Sequence, residues 1–310
     1  MTRPNRPSRR ARVLNVALRL FEKRRIARTE HPEELRRGFE RSAALFFHGP
    51  RKVQYESVTL GDLTCLKVIP PQSASIRVIL YFHGGGYVMG SPRTHRAMVA
   101  RLCQLVGARA ILPDYRKAPE HPYPAAPEDA LEAYMLLLDQ GVSPGQIVLG
   151  GDSAGGGLAL GLLGQICHRG LPQPAGCFAF SPLTDMSFSG DSFRENAEAD
   201  VMLPAHQAKL MEEMYLVDHD PRDPRASPLY GNFTGACPVW LCVGTTEILL
   251  DDTRRMAVHL RAQGVEVTEV VAHDLPHVWP IFQRLMPEAN ATLKQVGCWI
   301  SSRFSSSGGN

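Results

Sequence analysis

One run, "VLGGDSAGGGLALGLLG" over residues 148–164, constrains this chain more than any other. Gln146 to Gly150 has the apolar character of a short buried strand, and from Ser153 onward Leu and Ala recur as in a helix. Between them stand Gly151, Asp152, Ser153, Ala154 and Gly155. A glycine-rich turn from strand to helix can cradle a phosphate or hold up a nucleophile. Either use implies strands with helices returning over them.

The phosphate uses fail on residue chemistry. A P-loop needs a Lys before Ser or Thr at the helix start, and no Lys stands there. A dinucleotide fingerprint follows the first strand of its unit and needs an acid about 20 residues later. This turn follows several strands, and residues 166–180 contain no Asp or Glu. Gly151-Asp152-Ser153-Ala154-Gly155 instead fits G-x-S-x-G, an elbow that exposes a serine hydroxyl between glycines small enough to let backbone approach. Gly157, Gly161 and Gly164 then read as sites of close helix–sheet packing.

A second motif strengthens the nucleophile. His83-Gly84-Gly85-Gly86 follows the apolar strand Val78–Phe82, where an oxyanion loop belongs. Glycines let backbone N–H groups reach within about 3 Å of a tetrahedral oxyanion. His83 reads as a loop anchor rather than a base. The rest of the chain alternates apolar strands with helices, the pattern of a mostly parallel sheet covered on both faces. Gly61-Asp62 reads as a hairpin turn, and the alternation breaks between Leu183 and Gly235 around one helix, Pro204 to Tyr215. Near the start, Leu14, Ala17, Leu18 and Phe21 are spaced as the inward face of an amphipathic helix.

A serine nucleophile needs a base and an acid. His273 and His277 both follow the strand "VEVTEVV", and His277, ahead of an apolar turn, is preferred; His259 lies within an amphipathic helix and reads as structural. For the acid, Glu247 is the first carboxylate past the strand "PVWLCVG", on the same rim as the elbow. Asp251 and Asp252 read as N-cap and first-turn acids of the next helix, with Asp251 the alternative acid.

Composition limits the remaining options. The seven cysteines are odd in number, scattered and without a CxxC pair, which points to reduced small hydrophobes. No apolar run approaches the roughly 18 residues of a membrane span, and the first residues carry no secretory signal, so a cytoplasmic location is expected. Residues 1–52 hold 15 Lys/Arg against 5 Asp/Glu, leaving the body acidic within a chain total of +3. The expectation is a solvated helix face docked on that acidic body, with no nucleic acid partner and no stable membrane insertion.

Together the HGGG and GDSAGG blocks, "DYRKAPEHPYPAAPED" and "PHVW" resemble the hormone-sensitive-lipase-like carboxylesterases, bacterial family IV of the α/β-hydrolase fold. The resemblance runs from about Val53 to Phe304. It implies an α/β core over 53–183 and 231–304, a helical cap from 1–52 and 184–230, and a disordered tail at 305–310. It implies Ser153 as nucleophile, His277 as base, and backbone donors at Gly85, Gly86 and Ala154. The family's aspartate block reads "EILLD" here, so Glu247 replaces the expected acid. Tyr87, Phe188, Met202, Met211, Met214 and Tyr215 are the expected acyl-pocket residues. The implied reaction is hydrolysis of short- to medium-chain esters of small molecules through an acyl-enzyme, with no metal or cofactor. A homodimer through the last strand and helix is a further implication. Amidase, formamidase or acyltransferase chemistry with the same triad is the alternative, and a non-catalytic receptor on the same fold the other.

Overall fold

The computed structural model describes residues 6–29, 31–71, 73 and 76–306. A strand whose side chains alternate between two buried faces must be covered on both. In β3 (Val78–Phe82), Val78, Leu80 and Phe82 join one apolar cluster while Ile79 and Tyr81 join the other. β5 (Ile147–Asp152), β6 (Gly176–Phe180) and β7 (Val239–Gly244) are likewise fully buried. Each such Val, Leu, Ile or Phe contributes about 1.5–3 kcal/mol through burial.

The eight strands run in the order β1-β2-β4-β3-β5-β6-β7-β8, with β1 (Gln54–Leu60), β2 (Leu63–Ile69), β4 (Arg109–Pro113) and β8 (Val267–Ala272) completing the sheet. β1 and β2 are an antiparallel hairpin turning at Gly61-Asp62, β2 pairs antiparallel with β4, and the other pairings are parallel. Register aligns Phe82 with Gly151, Asp152 with Phe180 and Gly244 with Ala272. The segments leaving β3, β5, β6, β7 and β8 therefore emerge along one rim.

Six helices and a short turn of helix join or cover these strands: α4 (Pro92–Val106), α5 (Ala125–Asp139), α6 (Ala154–His168), α7 (Ser192–Glu195), α8 (Ala205–Leu216), α9 (Leu250–Ala262) and α10 (Pro287–Ser306). α5 starts at Ala125 and tolerates Pro127 in its first turn, where a missing N–H costs nothing. α10 continues through Ser305 and Ser306, so the expected tail is shorter than 305–310, and 307–310 lie outside the described residues.

The first helix corrects the sequence expectation. α1 (Arg9–Ala17) and α2 (Lys23–Arg28) are joined by a π-helical turn at Leu18–Glu22. Phe21 lies within this wider turn and is 74% exposed, while Ala11, Asn15, Leu18 and Ile26 face inward. This segment lies against residues 184–230, whereas α3 (Pro32–Phe46) packs on α4. Arg19 donates to the carbonyls of Glu198 and Ala199, Lys23 to those of Ala197 and Asp200, and Gln207 to that of Thr29. The basic segment thus docks largely on carbonyl oxygens rather than on acidic side chains. Arg36 is the exception, pairing with Glu120 as well as the Val88 and Ala118 carbonyls.

The later glycines of α6 also differ from expectation. A Cβ on Gly157 would lie 2.1 Å from the Leu183 carbonyl oxygen, and one on Gly161 3.0 Å from that of Arg225. They admit the segments beyond β6, not the sheet. Cys65, Cys103, Cys177, Cys237 and Cys242 are buried free thiols, whereas Cys298 is exposed and Cys167 half-buried. Among the described residues no helix is long and apolar enough to cross a membrane.

Candidate active site

Ser153 stands between β5 and α6 with φ +54° and ψ −125°, a conformation that costs a serine energy and holds only where its surroundings fix it. Its N–H donates to the Phe180 carbonyl at 2.8 Å, and its own carbonyl accepts from Leu183 at 3.0 Å. The flanking glycines are required by contact. A Cβ on Gly151 would lie 2.1 Å from the Gly155 oxygen, and one on Gly155 2.2 Å from the Phe82 oxygen. The glycines let the serine turn lie directly against the end of β3.

His277 Nε2 lies 2.9 Å from Ser153 Oγ, and His277 Nδ1 lies 2.6 Å from Glu247 Oε2. A carboxylate only accepts, so Nδ1 carries the proton and Nε2 is left to accept from the serine hydroxyl. Glu247 Oε1 accepts from the Gly244 N–H at 2.5 Å and from Ser181 Oγ at 2.9 Å. Ser181 Oγ in turn accepts the Val278 N–H at 3.1 Å, joining the acid's segment to the base's. Burial pushes the Glu247 carboxyl above its usual range against the opposing pull of His277. Burial also disfavours a charged His277. The hydrogen bond and charge of Glu247, with the charges of Asp200 and Asp152, outweigh that and raise its pKa above the ordinary imidazole value.

The other candidates fall elsewhere. Asp251 accepts the Ser192 N–H at 2.8 Å, and Asp252 accepts those of Thr184 and Asp185 at 2.7 and 2.9 Å. Both are in the first turn of α9, whose N-cap is Leu249 rather than Asp251. His273 is exposed, and His259 bonds the Gly231 carbonyl at 2.7 Å.

The HGGG segment folds against the elbow. Gly85 and Gly86 have φ +127° and +62°, and a Cβ on Gly85 would lie 2.2 Å from the Met89 oxygen. The Gly85 carbonyl accepts from Val88 and Met89, closing a tight loop. Gly85 and Gly86 share one cavity wall with Ser153, while Ala154 is buried at the start of α6. The first N–H groups of a helix have no partner within it and carry its positive dipole end. His83 is buried and stacked on Tyr115, with ring centroids 4.3 Å apart, and Tyr115 Oη donates to its carbonyl at 2.7 Å. Burial, reinforced by the nearby Lys117 charge, holds its pKa well below the ordinary value, so it anchors the loop.

Several known proteins similar to this chain are ester-cleaving enzymes. The family profile described as alpha/beta hydrolase fold matches residues 79–281. An acetyl-hydrolase of Streptomyces hygroscopicus is 37% identical over 243 residues, 78% of this chain and 81% of its own. A crystal structure of an esterase from the bacterial hormone-sensitive lipase family superposes with a TM-score of 0.91 at 34% identity, covering 96% of this chain and 99% of that one. This chain is a hormone-sensitive-lipase-like carboxylesterase. A crystal of the esterase EstE5 soaked with p-nitrophenyl butyrate gives the same score at 38% identity, with the same coverage of both chains.

In this esterase an apolar cavity opens over Ser153, lined in part by Phe188, Met202 and Met211 as the sequence suggests. Tyr87, Met214 and Tyr215 are not in its wall. Tyr87 and Tyr215 are buried and stacked face to face, centroids 4.0 Å apart. Met211 reaches the cavity beside Gly86, and Tyr215 falls one helical turn further on, against Tyr87. Met214 packs against the core beside them. The N-terminal segment supplies wall residues the sequence reading missed: Glu22, Ile26, Phe39 and Phe47.

Also missed were the polar residues behind the site. Asp152 is buried, accepts from Tyr81 Oη at 2.6 Å, and lies 3.2 Å from His95 Nε2. Asn196 donates to the Thr245 and Glu247 carbonyls at 3.2 and 2.8 Å. Asp152 stood inside the motif and could have been singled out as a polar residue in a buried strand. Ser181, Asn196 and Asp200 offered no local signal, since their partners lie tens of residues away.

Proposed function

We propose that Ser153, His277 and Glu247 act as nucleophile, base and acid, with the N–H groups of Gly85, Gly86 and Ala154 as oxyanion donors. The observation that carries this is the continuous hydrogen-bonded line from Ser153 Oγ through His277 to Glu247. Ser153 Oγ attacks the ester carbonyl carbon as His277 Nε2 takes its proton. Glu247 keeps the imidazole oriented and stabilises the imidazolium. The carbonyl oxygen becomes an oxyanion beside the HGGG loop and the start of α6. His277 returns the proton to the departing alkoxide, leaving an acyl-serine and a free alcohol. Water, deprotonated by His277, then releases the carboxylic acid and restores the hydroxyl.

The substrate reading is short- to medium-chain acyl esters of small molecules. The apolar wall formed by Phe39, Met202 and Met211 favours an acyl chain over a charged one. The names of the acetyl-hydrolase and the butyrate-soaked esterase point the same way. Residues 1–52 and 184–230 serve in this reading as a cap, and the location is the cytoplasm, where free thiols stay reduced.

The test is turnover of p-nitrophenyl esters from acetate to palmitate by wild type, Ser153→Ala and Glu247→Gln. Short-chain turnover lost in both variants supports the assignment. Turnover surviving Ser153→Ala overturns it, and cleavage of matched amides in preference to esters replaces the substrate class.

A further inference from the structure

The first helix carries an apolar stripe that no described residue covers. Val13, Val16 and Leu20 are spaced to share one outward side and are 70%, 58% and 42% exposed, with Phe21 beside them at 74%. Single exposed hydrophobes are ordinary, but a continuous group on one helix marks a contact surface. The inward side is occupied: Ala11, Asn15, Leu18 and Ile26 are buried, and Asn15 Nδ2 donates to the Asp274 carbonyl at 3.0 Å.

Cations flank the stripe. Arg9, Arg10, Arg12, Arg24 and Arg28 are exposed and form no ion pair among the described residues. The one described acid between residues 6 and 29 is Glu22, paired with Arg25 at 2.6 Å. The same helix borders the active-site cavity, whose wall includes Glu22 and Ile26. Within and just after the π-helical turn, Leu20 and Phe21 face outward while Glu22 and Ile26 line the cavity, so one segment serves both sides.

We propose that α1, the π turn and α2 dock this esterase reversibly on an anionic lipid surface. The arginines meet the headgroups, and Val13, Val16, Leu20 and Phe21 enter the headgroup–acyl boundary. Helices with basic flanks and an apolar stripe bind such interfaces lying in their plane. The pattern fits other occupants less well. A two-fold pairing with a second copy would bring this basic flank to a like-charged one. Nucleic acid phosphates would engage the arginines and leave the apolar stripe without a role. Docking by this side puts the cavity's border at the interface, where acyl esters concentrate.

The test is co-sedimentation of the full chain with vesicles of phosphatidylcholine alone and of equal parts phosphatidylcholine and phosphatidylglycerol, at low and high salt. The expected result is binding at least about tenfold stronger to the anionic vesicles, weakened by salt. The double variant Val16→Ser/Phe21→Ser and the charge variant Arg10→Gln/Arg12→Gln should each lose most of it. Turnover of soluble p-nitrophenyl acetate by both variants should stay at the wild-type level, which reports an intact fold. Equal partition to both vesicles, or no partition, overturns the proposal. So does anionic-vesicle binding that Val16→Ser/Phe21→Ser leaves unchanged, since charge alone would then suffice. Duplex DNA binding as tight as vesicle binding, or a concentration-dependent dimer that the same variant abolishes, would replace lipid by those partners.

Discussion

Asp200 Oδ2 accepts the backbone N–H of Ile248 at 3.0 Å, so a residue of the 184–230 insertion holds the segment that carries Glu247. Its other oxygen accepts from Met202 and Leu203 at 2.8 and 2.9 Å, both in the cavity wall. One buried carboxylate therefore ties the cavity wall to the segment that carries Glu247. Asp200→Asn should lower kcat on the order of tenfold, the equivalent of about 1.4 kcal/mol. It also removes a negative charge that favours protonated His277. The acid limb of the kcat/KM profile should therefore move to lower pH. A drop in kcat with an unmoved limb would leave Asp200 a purely structural role.

Glu247→Gln tests the same limb more directly. His277 must be neutral to take the serine proton, and its pKa lies above the ordinary imidazole value. Wild-type kcat/KM should therefore rise with pH through a midpoint above about 6.5. With the carboxylate gone, burial pulls the imidazole pKa down and the midpoint falls. An amide can also favour the wrong tautomer, so kcat should drop on the order of 10³–10⁴-fold. Steady-state pH profiles of the two proteins decide it.

Asp252 makes stability depend on pH. Burial raises its carboxyl from 3.8 to about 7, although the Thr184 and Asp185 N–H groups stabilise its charge. The fold thus favours the protonated form, and stability is lost as pH rises from about 4 to about 7 and the buried group ionises. Above that range the loss is complete and constant. Asp252→Asn should flatten the Tm profile across this window and give its largest gain at the alkaline end. Thermal melts at stepped pH measure this, and parallel profiles would exclude Asp252 as the source.

Two glycines of one turn and helix should respond oppositely to alanine. Gly155→Ala would put a methyl 2.2 Å from the Phe82 oxygen and 2.4 Å from that of His83, within rigid backbone. It should abolish activity and destabilise by several kcal/mol. On Gly164 the nearest contact would be Phe233 Cζ at 3.5 Å, an ordinary distance. Gly164→Ala should leave turnover unchanged and stabilise α6 by about 0.5–1 kcal/mol. Denaturant unfolding and ester turnover of both variants provide the comparison.

The sheet and the Ser153–His277–Glu247 line were legible because their determinants are local. Each of these residues follows a strand whose apolar run marks its end, and parallel register brings those ends to one rim. Phe21 was misplaced because the periodicity argument assumes a uniform turn, and the π turn at Leu18–Glu22 breaks it. Tyr87 and Tyr215 were assigned to the acyl pocket from their type and position. Their stacking is a tertiary fact with no sequence period. Ser181 and Asp200 contact the Glu247 segment through hydrogen bonds over long sequence separations, which pattern reading does not reach.

Gly157 lies one helical turn beyond Ser153 in α6, and the Leu183 carbonyl rests where its side chain would be. Leu183 itself is part of the cavity wall. The position of that wall is therefore set by how closely the chain after β6 can seat on a bare helix backbone. A larger residue there would move the wall and, through the Leu183 N–H that the Ser153 carbonyl accepts, the serine turn with it. Cavity shape and the seating of Ser153 in this esterase are thus coupled through one backbone contact.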